Sequence, residues 1–134
     1  MRACVLATLL ILLAAVPARA LDSCFADSAG PWRGPVWNGP GLETMDTDFQ
    51  VAPDGTLVGR YHVFDKDPFD GSLTAFHQTG SCEADFTWTD RYGTGTVHIH
   101  FEPDIGRIIG DWGTQGIPPK LEFDGYRKRP SVVS

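Results

Sequence analysis

The sequence predicts an all-β fold: a single eight-stranded antiparallel up-and-down barrel that follows an export signal. Three observations predict it. From residue 32 onward, polar and apolar residues alternate in short runs, the period of a strand with one buried face, and no window repeats apolar residues at helical spacing over three turns. The 15 Gly and 10 Pro are spread along the chain and punctuate those runs. The links between runs are short, which sets each strand beside the next in a meander rather than in a sandwich with long crossovers. A meander of eight strands closes into a barrel about wide enough for side chains or one small ligand, and closure removes the exposed edges of an open sheet. With 134 residues, one domain is the expectation.

The first 20 residues read as a secretory signal peptide. Arg2 supplies the positive start, residues 5–16 are an apolar run, Pro17 breaks it, and Ala18-Arg19-Ala20 is a cleavage site of small residues. The run is shorter than the about 20 residues of a permanent membrane helix, and no other segment approaches that length. A lipoprotein reading of Cys24 is weakened by Asp22, where a lipidation box carries small neutral residues. The barrel domain is expected over residues 21–129 and a loose tail over 130–134.

The net charge is −6. Arg2 and Arg19 leave with the signal, so the remaining chain holds 17 acidic and 9 basic residues, a net −8. Such a chain repels phosphate backbones, so a nucleic-acid partner is excluded from the expectation. Cys4 also leaves, and Cys24 and Cys82 remain as an even pair that an oxidising compartment joins. The expected location is periplasmic or extracellular.

Strands are expected at 32–37, 43–51, 56–64, 72–77, 82–89, 94–102, 106–112 and 120–127. Ala52-Pro53-Asp54-Gly55 is a turn with a mechanism, since Pro fixes φ and Gly accepts positive φ. The period of two puts Leu57, Gly59, Tyr61 and Val63 on one face, and likewise Phe86 with Trp88, Val97 with Ile99 and Phe101, Ile108 with Gly110 and Trp112, and Leu121 with Phe123. These sets are expected inside. Thr87, His98, His100 and Glu122 are expected outside. Gly59 and Gly110, inside strands, suggest bends or close approach.

Gly30-Pro31-Trp32, the run from Asp54 to Tyr61, Phe86-Thr87-Trp88-Thr89-Asp90-Arg91-Tyr92 and Arg107-Ile108-Ile109-Gly110-Asp111-Trp112 resemble, in order, the strand signatures of avidin and streptavidin, secreted eight-stranded barrels of lipocalin type that bind biotin inside. The resemblance implies a ligand-bonding tyrosine at Tyr61 and aromatic walls at Trp88 and Trp112. It departs at the polar positions. Val63, Val97 and Ile99 stand where that family carries hydroxyl-bearing residues, and no equivalents of its first-strand Asn and Ser are evident near Gly34 and Asn38. Pockets of this kind draw specificity from a few placed polar groups, so biotin is not the expected ligand. A second resemblance, in barrel shape and size alone, is to the small periplasmic inhibitors of bacterial metalloproteases, whose N-terminal segment enters the protease cleft.

Candidate chemistry is sparse. His98 and His100, two apart on one strand face, are weak metal candidates, because a third ligand is missing. Residues 65–71 are dense in carboxylates, but Pro68 interrupts them and they are out of step with a calcium loop. The inward sets hold no acid pair, and no nucleophile elbow or phosphate loop is present, so no catalytic residue and no cofactor is expected. The chain is expected to be a non-enzymatic exported protein that holds a small, mostly apolar ligand through Tyr61, Trp88, Trp112 and Phe101. The alternative is a solid-core barrel acting through its surface, as a protease inhibitor or an envelope interaction protein.

Overall fold

The computed structural model describes residues 22–128. The expected signal peptide and the tail 130–134 lie outside the described residues. A short helix α1 (Ser23–Asp27) precedes eight strands: β1 (Gly30–Trp37), β2 (Leu42–Val51), β3 (Leu57–Phe64), β4 (Phe69–Gly80), β5 (Glu83–Asp90), β6 (Gly93–Glu102), β7 (Arg107–Thr114) and β8 (Leu121–Arg127). Each strand pairs antiparallel with the next, and β1 pairs with β8 through Trp32 opposite Arg127 and Val36 opposite Phe123. The barrel is closed, in up-and-down order, as the meander of short links predicts.

Strand ends fall within two residues of expectation except in β4, which begins at Phe69 and runs to Gly80. The acidic stretch is therefore a loop over 65–68 only, and Phe69 joins the ladder opposite Val63. Thr74 pairs with Thr87 and His77 with Asp85, so Ala75 and Phe76 together form a bulge, with Ala75 at φ 54°. Bulges re-aim side chains. Phe76 within this one packs edge-on against Phe25 and Phe86. The 52–55 turn forms as predicted: Gly55 has φ 84°, its N–H donates to the Ala52 carbonyl, and the Thr56 N–H and hydroxyl donate to the Asp54 carboxylate.

The expectation of no helix needs correction. Helix α1 spans five residues, too short for an apolar period to show and too short to persist alone. Tertiary contacts hold it. Cys24 is bonded to Cys82, as expected from the even pair. The Ser28 hydroxyl donates to the Cys24 carbonyl, and the Trp32 indole N–H donates to the Ser28 carbonyl. The Arg127 guanidinium lies over the Trp32 ring and donates to the carbonyls of Asp27 and Ala29. The disulfide joins residues 58 apart, and in the chain-entropy picture a loop of that length contributes about 4 kcal/mol.

Antiparallel order puts the 38–41, 65–68, 91–92 and 115–120 links at one end of the barrel and α1 at the other. The helical end is filled. Phe25 plugs it, with Phe49, Phe86, Phe101, Leu57 and Ile108 beneath, all 1% exposed or less. Their rings meet edge-on or tilted: Phe25 to Phe101 at 5.5 Å and Phe49 to Phe101 at 5.3 Å between centroids. The inward sets read from alternation are buried, apart from half-buried Trp112 and Leu121, and His98, His100, Thr87 and Glu122 lie outside the core.

Candidate functional site

The end opposite α1 is not filled. A cavity of about 80 Å³ opens there, walled by Tyr61, Trp88, Trp112, Trp37 and Phe69, with Asp90 the one charged residue on its lining. It holds a few waters or the head of a small molecule. It is smaller than the roughly 300 Å³ at which pockets for drug-sized ligands begin.

Glycines opposite the large rings make the walls possible. Trp88 of β5 faces Gly95 of β6, and a Cβ at Gly95 would lie 2.6 Å from the indole nitrogen. Tyr61 of β3 faces Gly71 of β4, where a Cβ would lie 2.0 Å from the phenol ring. Each ring thus lies against bare backbone, which a larger residue would deny it. Gly110 is also a site of close approach, since a Cβ there would lie 2.6 Å from the Phe123 carbonyl oxygen.

Buried aromatic rings with polar tips need partners for those tips. All three of these have them. The Trp88 indole N–H donates to the Gly113 carbonyl at 2.8 Å, and the Trp112 indole N–H donates to the Trp37 carbonyl at 3.0 Å. The two indoles meet edge to face, 5.4 Å apart. The Tyr61 hydroxyl donates to Asp90 Oδ2 at 2.7 Å. Burial, reinforced by the Asp90 carboxylate, pushes the Tyr61 phenol well above its ordinary value, so it stays neutral. Asp90 Oδ1 accepts the Tyr92 backbone N–H at 2.8 Å.

Of the four residues expected to meet a ligand, the structure brings Tyr61, Trp88 and Trp112 together and leaves Phe101 out. Phe101 lies in the filled end against Phe25 and Phe49. Alternation gives the face a residue takes but not its height in the barrel, and Phe101 sits near the far end of β6. Sequence reading missed Asp90, Trp37 and Phe69. Asp90 lies one residue past the strand expected at 82–89, and its partner Tyr61 is 29 residues away. The one available signal was that a buried tyrosine needs an acceptor.

The two imidazoles on β6 do share the outer face, yet each turns to carboxylates. His98 Nδ1 lies 2.6 Å from Asp85 Oδ1, and His100 lies 3.5 Å from Glu83 and from Glu102. His62 pairs with Asp70 on β4 at 2.7 Å. Among the described residues, no group of three or more His, Cys, Asp or Glu is placed to hold a metal ion.

Comparison with protein-family models, curated proteins and solved structures finds no match. The class is therefore defined by the fold: a closed, eight-stranded, antiparallel up-and-down barrel, consistent with a lipocalin- or avidin-like architecture. It carries a disulfide, and no helix among the described residues is long and apolar enough to cross a membrane.

Proposed function

We propose that this chain is an exported, non-enzymatic binding protein that receives a small, mostly apolar ligand in the mouth of its barrel. The observation that carries the reading is the contrast within one interior: aromatic residues fill one end, while at the other Tyr61, Trp88 and Trp112 wall a cavity. Export is supported by the sequence of the first 20 residues and by the disulfide. Biotin is not the proposed ligand. Val63 lines the cavity without a hydroxyl, and the Trp88 and Trp112 indoles and the Tyr61 phenol already donate to Gly113, Trp37 and Asp90.

Filling the mouth tests the reading. Val63 is buried and lines the cavity. Tryptophan fluorescence is expected to show saturable binding of 2-phenylethanol to the unmodified protein, and Val63→Phe is expected to weaken it at least about tenfold while the barrel still melts cooperatively, since overpacking of this size costs about 1–3 kcal/mol. Unchanged binding in a folded Val63→Phe protein would contradict the proposal.

A second reading has its own observation. Trp37, Leu42, Phe64, Tyr92 and Ile117 are exposed around the same mouth, an apolar rim on which an envelope protein could dock. Inhibition through a free N-terminal segment has less support, because residues 22–29 are bound to the barrel by the disulfide, Phe25 and Arg127.

A further inference from the structure

The mouth has a polar character that narrows the ligand. Among its walls, the N–H groups of Trp88 and Trp112 and the O–H of Tyr61 are spent on protein acceptors. The one charged group on the lining, Asp90, is an acceptor. A carboxylate offers about four lone-pair sites. Asp90 uses two of them, for the Tyr61 hydroxyl and the Tyr92 N–H. Among the described residues, Asp90 forms no ion pair. No Lys, Arg or His lines the cavity.

The nearest cation in sequence, Arg91, is committed elsewhere. It donates to the Asp67 carbonyl at 2.6 Å, pairs with the Asp67 carboxylate at 3.1 Å, and lies over the rings of Phe69 and Tyr92 at 5.0 and 4.9 Å. The rim rings thus already carry a stacked cation, the interaction that aromatic cages use for ammonium groups. An anionic head would meet the Asp90 carboxylate with no cationic side chain on the lining to offset the repulsion.

We propose that the mouth takes an organic cation, an ammonium head on a small apolar body, with the head held between the Asp90 carboxylate and the aromatic walls of Tyr61, Trp88 and Trp112. This rests on the pocket reading above and names the chemical class of its ligand. Tyr61 acts as a positioning residue: its hydroxyl fixes the Asp90 carboxylate at the cavity.

Three probes of similar size and different charge test this by isothermal titration calorimetry at neutral pH: phenethylammonium, 2-phenylethanol and 3-phenylpropanoate. Phenethylammonium is expected to bind the unmodified protein at least about tenfold tighter than 2-phenylethanol, a difference of about 1.4 kcal/mol, and 3-phenylpropanoate the weakest of the three. Asp90→Asn is expected to bring the ratio of the first two close to one. Tyr61→Phe, which keeps the carboxylate but removes the hydroxyl that fixes it, is expected to narrow the preference without abolishing it. Equal binding of phenethylammonium and 2-phenylethanol to the unmodified protein would overturn the cation assignment and leave the pocket standing. A preference that survives in Asp90→Asn would overturn the role of Asp90. Binding of none of the three would overturn the pocket reading, and this inference with it. The charge series in the unmodified protein decides the matter even if Asp90→Asn does not fold.

Discussion

The two ends of the barrel are built from the same kinds of residue and do different work. At the helical end, phenylalanines meet edge to face and Phe25 closes the opening from outside the sheet. Of the rings there, only Trp32 has a polar tip, and its N–H is taken by the Ser28 carbonyl. At the open end Trp88, Trp112 and Tyr61, beside the rings of Phe69 and Phe123, are each tied by one hydrogen bond to backbone or to Asp90. Apolar rings that pack freely fill space. Rings fixed by their polar tips hold a cavity open, because rotating to fill it would orphan a buried donor at about 1–3 kcal/mol. The three tethered rings of Trp88, Trp112 and Tyr61 thus distinguish the mouth from the phenylalanine-packed plug.

Truncation at the two ends breaks this comparison or sharpens it. Phe101→Ala leaves a void among rings that cannot collapse onto it, and is expected to cost about 3–5 kcal/mol by chemical denaturation. Met45→Ala removes a buried side chain that borders the existing cavity. It is expected to cost about 2 kcal/mol, the low end for such changes. Equal costs at the two ends would mean that the mouth is packed as tightly as the plug.

A smaller effect follows from Tyr61. Its folded-state value is raised, first by burial and then by Asp90, above the unfolded value near 10. The stabilising contribution is therefore complete below about pH 10 and is lost as pH rises, at up to about 1.4 kcal/mol per pH unit, because the unfolded phenol ionises and the folded one does not. Tyr61→Phe is expected to flatten the stability profile between about pH 10 and 11. A profile as steep in Tyr61→Phe as in the unmodified protein would remove Tyr61 as its source.

Much of the scaffold was legible in the sequence, because alternation and Gly/Pro punctuation act locally. The eight strands, the turn at Asp54-Gly55, the inward sets and the Cys24–Cys82 pairing all follow from neighbours along the chain or from simple parity. Helix α1 was not legible, since five residues cannot display a period and its stability comes from Cys82 and Arg127, far away in sequence. The bulge at Ala75 and Phe76 was hidden for the same reason: the contact it makes, Phe76 against Phe25, joins residues far apart in sequence. The site was half legible. Faces can be read from a period of two, so Tyr61, Trp88 and Trp112 emerged. Height along the barrel cannot, so Phe101 was grouped with them and Asp90 was missed.

The four tryptophans allow the most direct test, because their indole N–H groups report on both ends at once in a two-dimensional ¹H–¹⁵N spectrum. Trp37, Trp88 and Trp112 line the mouth, and Trp32 is buried at the plug. On titration with 2-phenylethanol, the account predicts saturable shifts of the three mouth indoles while the Trp32 resonance stays in place. Shifts of Trp32 as large as theirs, or no saturable shift of any indole, would contradict it.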